Sequence, residues 1–452
     1  MKMYIFICSI YTILFFSGCT DFLEVKPDVK MVIPKSLEDA ELLINDYSTM
    51  NTGYPIYGEW SADEYYVNAE TFDGSMNFDQ RNTYIWQDII YDDVVQWQRP
   101  SKVIFNANQL LDILGKANGN VDVERVNKLK GIAHFFRAFA FQQLAEVFAP
   151  AYHATTAQTE MGIPLRQSPG IDQPSTRESV QETFDQIIKD YKDASNRLPI
   201  EEGIRGRPSR ASAYAGLART YLYMGSFEEA YHYADSCLQL KSELMNFNDL
   251  DVNKDLPISR FNVEVLFAAT SATAGPMSLL NGLVDSTLYR SYSSMDLRKA
   301  IFFQTNTYPV NSYGYKGSYD NAMANLFVGL TTSEVYLIKA EAAARIGKID
   351  EALVALNTLG EKRFVRNQYV PLTEQNQTLL LSMILNERQK ELVFRGRRWS
   401  DLKRLNLDPR FQKTLKREMH GAVYQLEPNS RKYAYRLPEI VVNNGNLPQN
   451  IR

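Results

Sequence analysis

The sequence predicts a mostly α-helical protein built on helical hairpins, and three observations lead there. Two separate segments, ASAYAGLARTYLYMGSFEEAYHYADSCLQL and SEVYLIKAEAAARIGKIDEALVALNTL, share one grammar: Ala218, Gly225 and Ala230 in the first, Ala340, Gly347 and Ala352 in the second, spaced by seven and five residues. Other stretches place apolar residues at helical period, with breakers at their ends. Between the two hairpins runs a long polar, tyrosine-rich insertion that has no such period.

The chain opens on MKMYIFICSIYTILFFSG, in which a single Lys2 precedes an apolar run to Phe16 and the small pair Ser17 and Gly18. A charged start, a short apolar stretch and small residues make an export signal, too short to span a bilayer. Cys19 follows directly, which predicts a lipoprotein: the thiol takes a diacylglyceryl group, the new amino terminus a third acyl chain, and several chains together hold a membrane firmly. Phe16 stands where such signals usually carry Leu, so a plain signal peptide with a chance cysteine stays open. Residues 20–35 hold two prolines and no lasting period, a tether followed by an extended lead-in.

Ser36 with Asp39 three residues on is a capping signature for a helix over 37–49. Residues 127–148 (NKLKGIAHFFRAFAFQQLAEVF) carry Leu129, Ile132, Phe136, Phe139, Leu144 and Val147 on one helical face, and Pro150 closes the helix. Another helix is expected over 180–198, ending at Pro199. The two glycine-centred hairpins follow the tetratricopeptide pattern, with small residues where paired helices approach closely and glycine at the turn. They lie 122 residues apart, which argues against a tandem array. Cys237 falls where a small core residue packs, the expected role of a free buried cysteine.

The insertion spans 246–331 and contains the strand candidate VEVLFAAT together with Tyr289, Tyr292, Tyr308, Tyr313, Tyr315 and Tyr319 among Ser, Asn and Gly. Such a surface offers rigid ring area and adaptable hydrogen bonds, which suits recognition. Three of the four tryptophans, Trp60, Trp86 and Trp97, lie within forty residues of one another in a stretch that mixes aromatics with Asp, Asn and Gln and looks like loops.

Net charge is −4 over 452 residues, so no basic face for nucleic acid is announced. Of three cysteines, Cys8 leaves with the signal and Cys19 is lipidated, so no intrachain disulfide is expected. His134, His153, His232 and His420 are scattered without HExxH, and GxSxG, a phosphate-binding loop and a dinucleotide glycine run are all absent. Asp249, Asp251, Asn253 and Asp255 resemble a calcium loop but fail as one, because Lys254 replaces the glycine and Arg260 the bidentate Glu. No catalytic residue, metal or cofactor is therefore expected. Carboxylates near the tryptophans (Asp63, Glu64, Asp88, Asp92, Asp93) leave a surface glycosidase as one alternative, and a protein-binding helical-repeat adaptor is another.

Cys19 followed by TDFLEVKP, the AHFFRAFAFQQLAEVFAPAY…GIPL segment, SRASAYAGLARTYLYMG, SEVYLIKAEAAARIG, NERQKELVFRGRRWSDLKRLN and the ending LPEIVVNNGNLPQN resemble the SusD/RagB family in order from Cys19 to the last residues. Within the fifth string, Glu387 and Glu391 are one helical turn apart, as are Glu391 and Arg395, which predicts ion pairs along a helix, with Trp399 as a buried anchor. Arg395 stands where the family more often has Glu. The resemblance implies one SusD-like domain over 36–452, made of an N-terminal part (36–240), the insertion (246–331) and a C-terminal helical part (332–452). It implies a tetratricopeptide-like helical scaffold with irregular loops and small β elements on one side. It further implies a non-enzymatic lipoprotein of the outer-membrane surface that binds a nutrient, commonly an oligosaccharide, and delivers it to a SusC-type TonB-dependent transporter. A sugar offers a C–H face and a rim of hydroxyls, so the expected stacking residues are Trp60, Trp86, Trp97, Tyr313 and Tyr315, and the expected rim partners are Asp63, Asn82 and Arg290.

Overall fold

The computed structural model describes residues 36–89, 91, 93–116, 122–170 and 175–452. Cys19, the tether and Asp92 lie outside them. Ten helices carry the architecture: α1 (Leu37–Asn45), α2 (Val95–Lys116), α3 (Val123–Phe148), α4 (Val180–Arg197), α5 (Arg210–Met224), α6 (Phe227–Leu240), α7 (Thr332–Arg345), α8 (Ile349–Glu361), α9 (Gln377–Glu391) and α10 (Arg398–Leu405). Shorter helices and two-stranded ladders join them.

Capping explains where the helices begin and end. Ser36 and Asp39 form the expected reciprocal cap of α1, but the helix stops at Asp46, whose carboxylate accepts from the Thr49 N–H and starts a one-turn helix, Tyr47–Met50. The single helix expected over 37–49 is therefore two. Helix α3 begins a turn earlier than its apolar stripe, because Asp122 accepts from the N–H groups of Glu124 and Arg125. Ser179 and Glu182 cap α4 reciprocally. The stretch expected to be loops contains three short helices, Tyr57–Ser61, Ala69–Gly74 and Phe78–Tyr84, and runs into α2. Polar residues hid α2: Pro100 lies inside it, and it buries Gln96, Asn106 and Asn108.

Helices α2 to α8 pack in chain order, each against the next, and α9 packs on α7. Gly225 at φ +79° and Gly347 at φ +81° turn the two predicted hairpins in the left-handed conformation that glycine adopts without cost. Ala218, Ala230, Ala340 and Ala352 are fully buried. Although far apart in sequence, the two hairpins are direct neighbours, because α6 packs on α7. The expectation against tandem packing is thus corrected. Strand Val265–Phe267 pairs with Leu330–Thr331, and Thr270–Thr273 with Asn325–Phe327, so the two ends of the insertion are zipped together beside the start of α7. The chain leaves the helical stack and returns to it at one place. The strand candidate itself is two short strands, with register breaks in both pairings.

Cys237 is buried, its thiol donates to the Ala211 carbonyl at 3.2 Å, and burial pushes its pKa up, in keeping with a core role. The charged string after α8 is also core. Glu391 accepts from Arg363 at 2.9 Å and from Arg298 at 3.3 Å, while Arg363 also donates to Glu264 at 2.6 Å. Arg388 pairs with Asp401, Arg397 with Glu146, and Arg404 with Glu341. The expected Glu391–Arg395 pair does not form. Helix α9 ends at Glu391, and Arg395 instead donates to the Thr331 hydroxyl with its guanidinium 3.8 Å from the centre of the Tyr319 ring. Trp399 is the buried anchor expected, stacked on Tyr433 at 4.6 Å.

Candidate functional site

Most of the predicted site residues lie inside the protein. Trp60 is 1% exposed and donates its indole N–H to the Ala274 carbonyl at 2.9 Å. Trp86 is 2% exposed, donates to the Ser61 carbonyl at 3.1 Å and lies 5.0 Å from the Arg417 guanidinium. Trp97 sits on α2 with its ring edge-on to Phe148 at 5.0 Å. Tyr315 stacks on Phe394 at 4.7 Å and 17°, its hydroxyl on the Gly317 carbonyl. Rings closed in by protein offer no face to a ligand, so Trp60, Trp86 and Tyr315 are corrected from stacking residues to core, while Trp97, 9% exposed, lines a cavity with Ile104, Phe105 and Phe141.

The carboxylates are likewise engaged. Asp63 accepts from Arg398 at 2.6 and 2.9 Å and from Lys413 at 2.6 Å. Against the opposing effect of burial, these cations hold its pKa well below the usual range. Glu64 is buried and accepts from the Phe394 N–H at 2.8 Å, and Asp88 pairs with Arg436. The Asp93 carboxylate accepts from the Val95 N–H. Asn82 donates to the Phe78 carbonyl one turn back. Among the described residues, one grouping, His134, Asp190 and Asp193, is close enough to share a metal ion, but Arg137 already forks onto Asp190 at 2.8 and 2.6 Å. The failed calcium string forms no such grouping.

Tyr313 and Arg290 remain at the surface, and the fold builds a platform around them. Strand Phe303–Thr305 pairs with Tyr313–Tyr315, so Tyr313 lies directly opposite Thr305. Asp285 caps the short helix Ser286–Ser291 and donates its own N–H to the Glu64 carbonyl, which fixes Tyr289 and Arg290 in place. Tyr289 and Tyr313, both half-buried, stack with centroids 3.4 Å apart at 13°. The Lys299 ammonium lies over the Tyr289 ring, 4.7 Å from its centre, and donates to the Tyr292 carbonyl at 3.0 Å, while the exposed Arg290 donates to the Thr287 hydroxyl at 3.4 Å. Burial, followed by the side-chain hydrogen bond with Tyr313, pushes the Tyr289 pKa up to about 12. Below them Phe303 touches Tyr289 at 5.6 Å and Tyr292 at 5.2 Å, a row of rings that ties the surface pair to the core.

Tyr66, half-buried, pairs opposite Leu283 in the neighbouring ladder, and Leu280 on the loop before it is 91% exposed. The pairing of Tyr289 with Tyr313 was missed because the two are 24 residues apart in a stretch with no period. Only the tyrosine density of the insertion pointed to it. Chemically, the site is a half-buried pair of stacked phenol rings backed by Phe303, with the Lys299 ammonium over Tyr289 and donating to the Tyr292 carbonyl, and the exposed Arg290 next in the chain. It suits a neutral, ring-shaped, hydroxyl-bearing ligand.

Two protein-family models match consecutive parts of the chain: one described as starch-binding associating with outer membrane over residues 21–222, and one described as the SusD family over residues 246–445. A SusD-like protein P2 of Formosa agariphila is 25% identical over 418 residues, covering 78% of this chain and 79% of its own. A SusD superfamily protein of Bacteroides thetaiotaomicron superposes with a TM-score of 0.76 at 22% identity, over 92% of this chain and all of its own. Surface glycan-binding protein A of Bacteroides uniformis superposes with a TM-score of 0.72 at 17% identity, over 91% of this chain and 98% of its own. No helix among the described residues is long and apolar enough to cross a membrane.

Proposed function

Given that the chain belongs to the SusD/RagB family, we propose that it binds an oligosaccharide at the cell surface without cleaving it and passes it to a SusC-type TonB-dependent transporter. The observation that carries this reading is the half-buried Tyr289–Tyr313 stack, an aromatic surface of the kind that takes the C–H side of a sugar ring, with the exposed Arg290 next to Tyr289 in the chain. The glycan-binding relative adds support. Cys19, lipidated, anchors the chain in the outer membrane, and the tether before α1 lets the folded domain reach a transporter.

The experiment is a binding titration of the purified chain against a panel of oligosaccharides, with Tyr313→Ala and Tyr289→Ala beside the unmodified protein. Binding should weaken about tenfold or more in either variant, and chromatography after long incubation should return the glycan intact. Binding unaffected by both changes would refute the platform. Shortened glycan would refute the non-enzymatic role. Co-purification from native membranes tests the transporter partnership, and its absence there would remove that part of the reading.

A further inference from the structure

The two rings of the tyrosine platform ride on different segments, and one buried residue of the N-terminal part bonds to the supports of both. Glu64 is 1% exposed and stands just before the strand Tyr65–Tyr66. Its backbone carbonyl accepts from the Asp285 N–H at 2.8 Å. Asp285 in turn caps the helix that carries Tyr289, its carboxylate accepting from the Leu288 N–H at 2.8 Å and its carbonyl from the Tyr289 N–H at 2.9 Å. The Glu64 carboxylate reaches the other way and accepts from the Phe394 N–H at 2.8 Å.

Phe394 leads to the second ring. It stacks on Tyr315 with centroids 4.7 Å apart at 17°, and Tyr315 shares one face of its strand with Tyr313, two residues back. Phe394 is 1% exposed and has a φ of +57°, the left-handed region that a β-carbon disfavours. A bulky residue keeps such a conformation only where its surroundings over-determine it. Here the bond to Glu64 holds its backbone and the Tyr315 ring holds its side chain. Burial, and then the nearby Glu59, push the Glu64 pKa up. A neutral carboxyl still accepts through its carbonyl oxygen, so the bond to Phe394 needs the oxygen and not the charge.

We propose that Glu64 is the positioning residue of the tyrosine platform: through Asp285 it sets Tyr289, and through Phe394 and Tyr315 it sets Tyr313, so that the two rings meet before any ligand arrives. The inference rests on the glycan-binding reading above and deepens it, because a preformed ring pair spares the sugar the cost of ordering the rings on binding.

The test reads the stack without ligand. In the purified chain labelled with carbon-13 tyrosine, the ring-proton NMR signals of Tyr289 and Tyr313, assigned with Tyr289→Phe and Tyr313→Phe, should each be shifted upfield by the other ring. Glu64→Met keeps the length of the side chain without the acceptor and should lose these shifts. Glu64→Gln, whose amide oxygen accepts from Phe394, should keep them. Gly347→Ala, in the turn between α7 and α8, should lower the melting temperature and keep them, which separates positioning from a general loss of stability. Phe394→Leu removes the ring behind Tyr315 and should lose them as well, so the outcome is readable even where Glu64→Met does not fold. In titrations with maltohexaose, cellohexaose and xylohexaose, whichever glycan binds should bind about tenfold more weakly to Glu64→Met and within about twofold to Glu64→Gln. The proposal is overturned if the shifts persist in Glu64→Met or in Phe394→Leu, or if Glu64→Gln loses them as Glu64→Met does. Failure of all three glycans to bind while the shifts behave as expected would instead count against the glycan-binding reading alone.

Discussion

The Trp60 indole nitrogen donates to the Ala274 carbonyl at 2.9 Å, so a buried residue of the N-terminal part holds the start of the segment that leads to the tyrosine platform. Gly275 follows at φ +55°, and a Cβ there would lie 2.9 Å from the Trp60 ring. The tryptophan packs against this turn and holds it.

Replacing Trp60 by Phe keeps most of the ring and removes this bond. The Ala274 carbonyl keeps its second donor, the Met277 N–H, so the cost should be modest, about 0.5–1.5 kcal/mol. Trp60→Ala also opens a cavity and should cost about 3–5 kcal/mol. Urea unfolding separates the two, and equal costs would show that the hydrogen bond, not packing, dominates.

Arg363 bridges Glu264 and Glu391, and all three side chains are fully buried. Arg363→Met strands two carboxylates in the interior, with Arg298 left as the partner of Glu391. The expected loss is about 3–5 kcal/mol, read by chemical unfolding. A loss under about 1 kcal/mol would mean that the pair is as dispensable as an exposed one.

Stability should depend on pH in two opposed limbs. Burial, only partly offset by the backbone N–H groups of Trp399 and Arg398 and by the Arg397 charge, raises the Glu59 pKa from 4.5 to about 7. The folded state then holds more protons than the unfolded chain between those values. Its contribution is full below pH 4.5 and is lost as pH rises through about 7, and Glu64, also raised by burial, acts in the same sense. Burial lowers the Lys403 pKa from 10.5 to about 7, so the unfolded chain holds more protons in that window and stability rises with pH across it. Urea unfolding from pH 4.5 to 10.5 should show Glu59→Gln flattening the acidic limb and Lys403→Met the alkaline one. Parallel curves for all three proteins would refute the assignment.

At Gly347 nothing lies within 4 Å of an added Cβ, so the glycine is needed for its φ of +81° alone. Gly347→Ala should therefore cost about 1–2 kcal/mol, and Gly347→Asn distinctly less, because Asn tolerates this conformation. Thermal melts decide it. Equal losses would point to the adjoining helix and not to the turn.

The helices with an apolar stripe and a cap were legible, α3 and α4 within a turn and the two hairpins with their glycines in place. Helix α2 was not, because it buries Asn and Gln against backbone partners and contains Pro100, so its polar sequence shows no stripe. Among the aromatic residues expected to stack on a ligand, Trp60, Trp86 and Tyr315 are buried. Trp60, Trp86 and Tyr315 sit among polar residues in sequence, yet the Ala274–Gly275 turn, Arg417 and Phe394 lie against them, and cover that arrives from distant segments leaves no periodic mark. Tyr313 and Arg290 stayed at the surface.

By itself the sequence determined the helical hairpins, the buried thiol and tryptophan at Cys237 and Trp399, and the resemblance on which the family rests, because helix period, caps and turn glycines are local. Tertiary structure decided which rings face solvent, that Glu391 answers to Arg363 and Arg298 and not to Arg395, and that two hairpins far apart in the chain stack side by side. Each of these depends on what arrives from elsewhere in the fold. Burial and ion pairing are settled between segments, and no spacing within one segment records them.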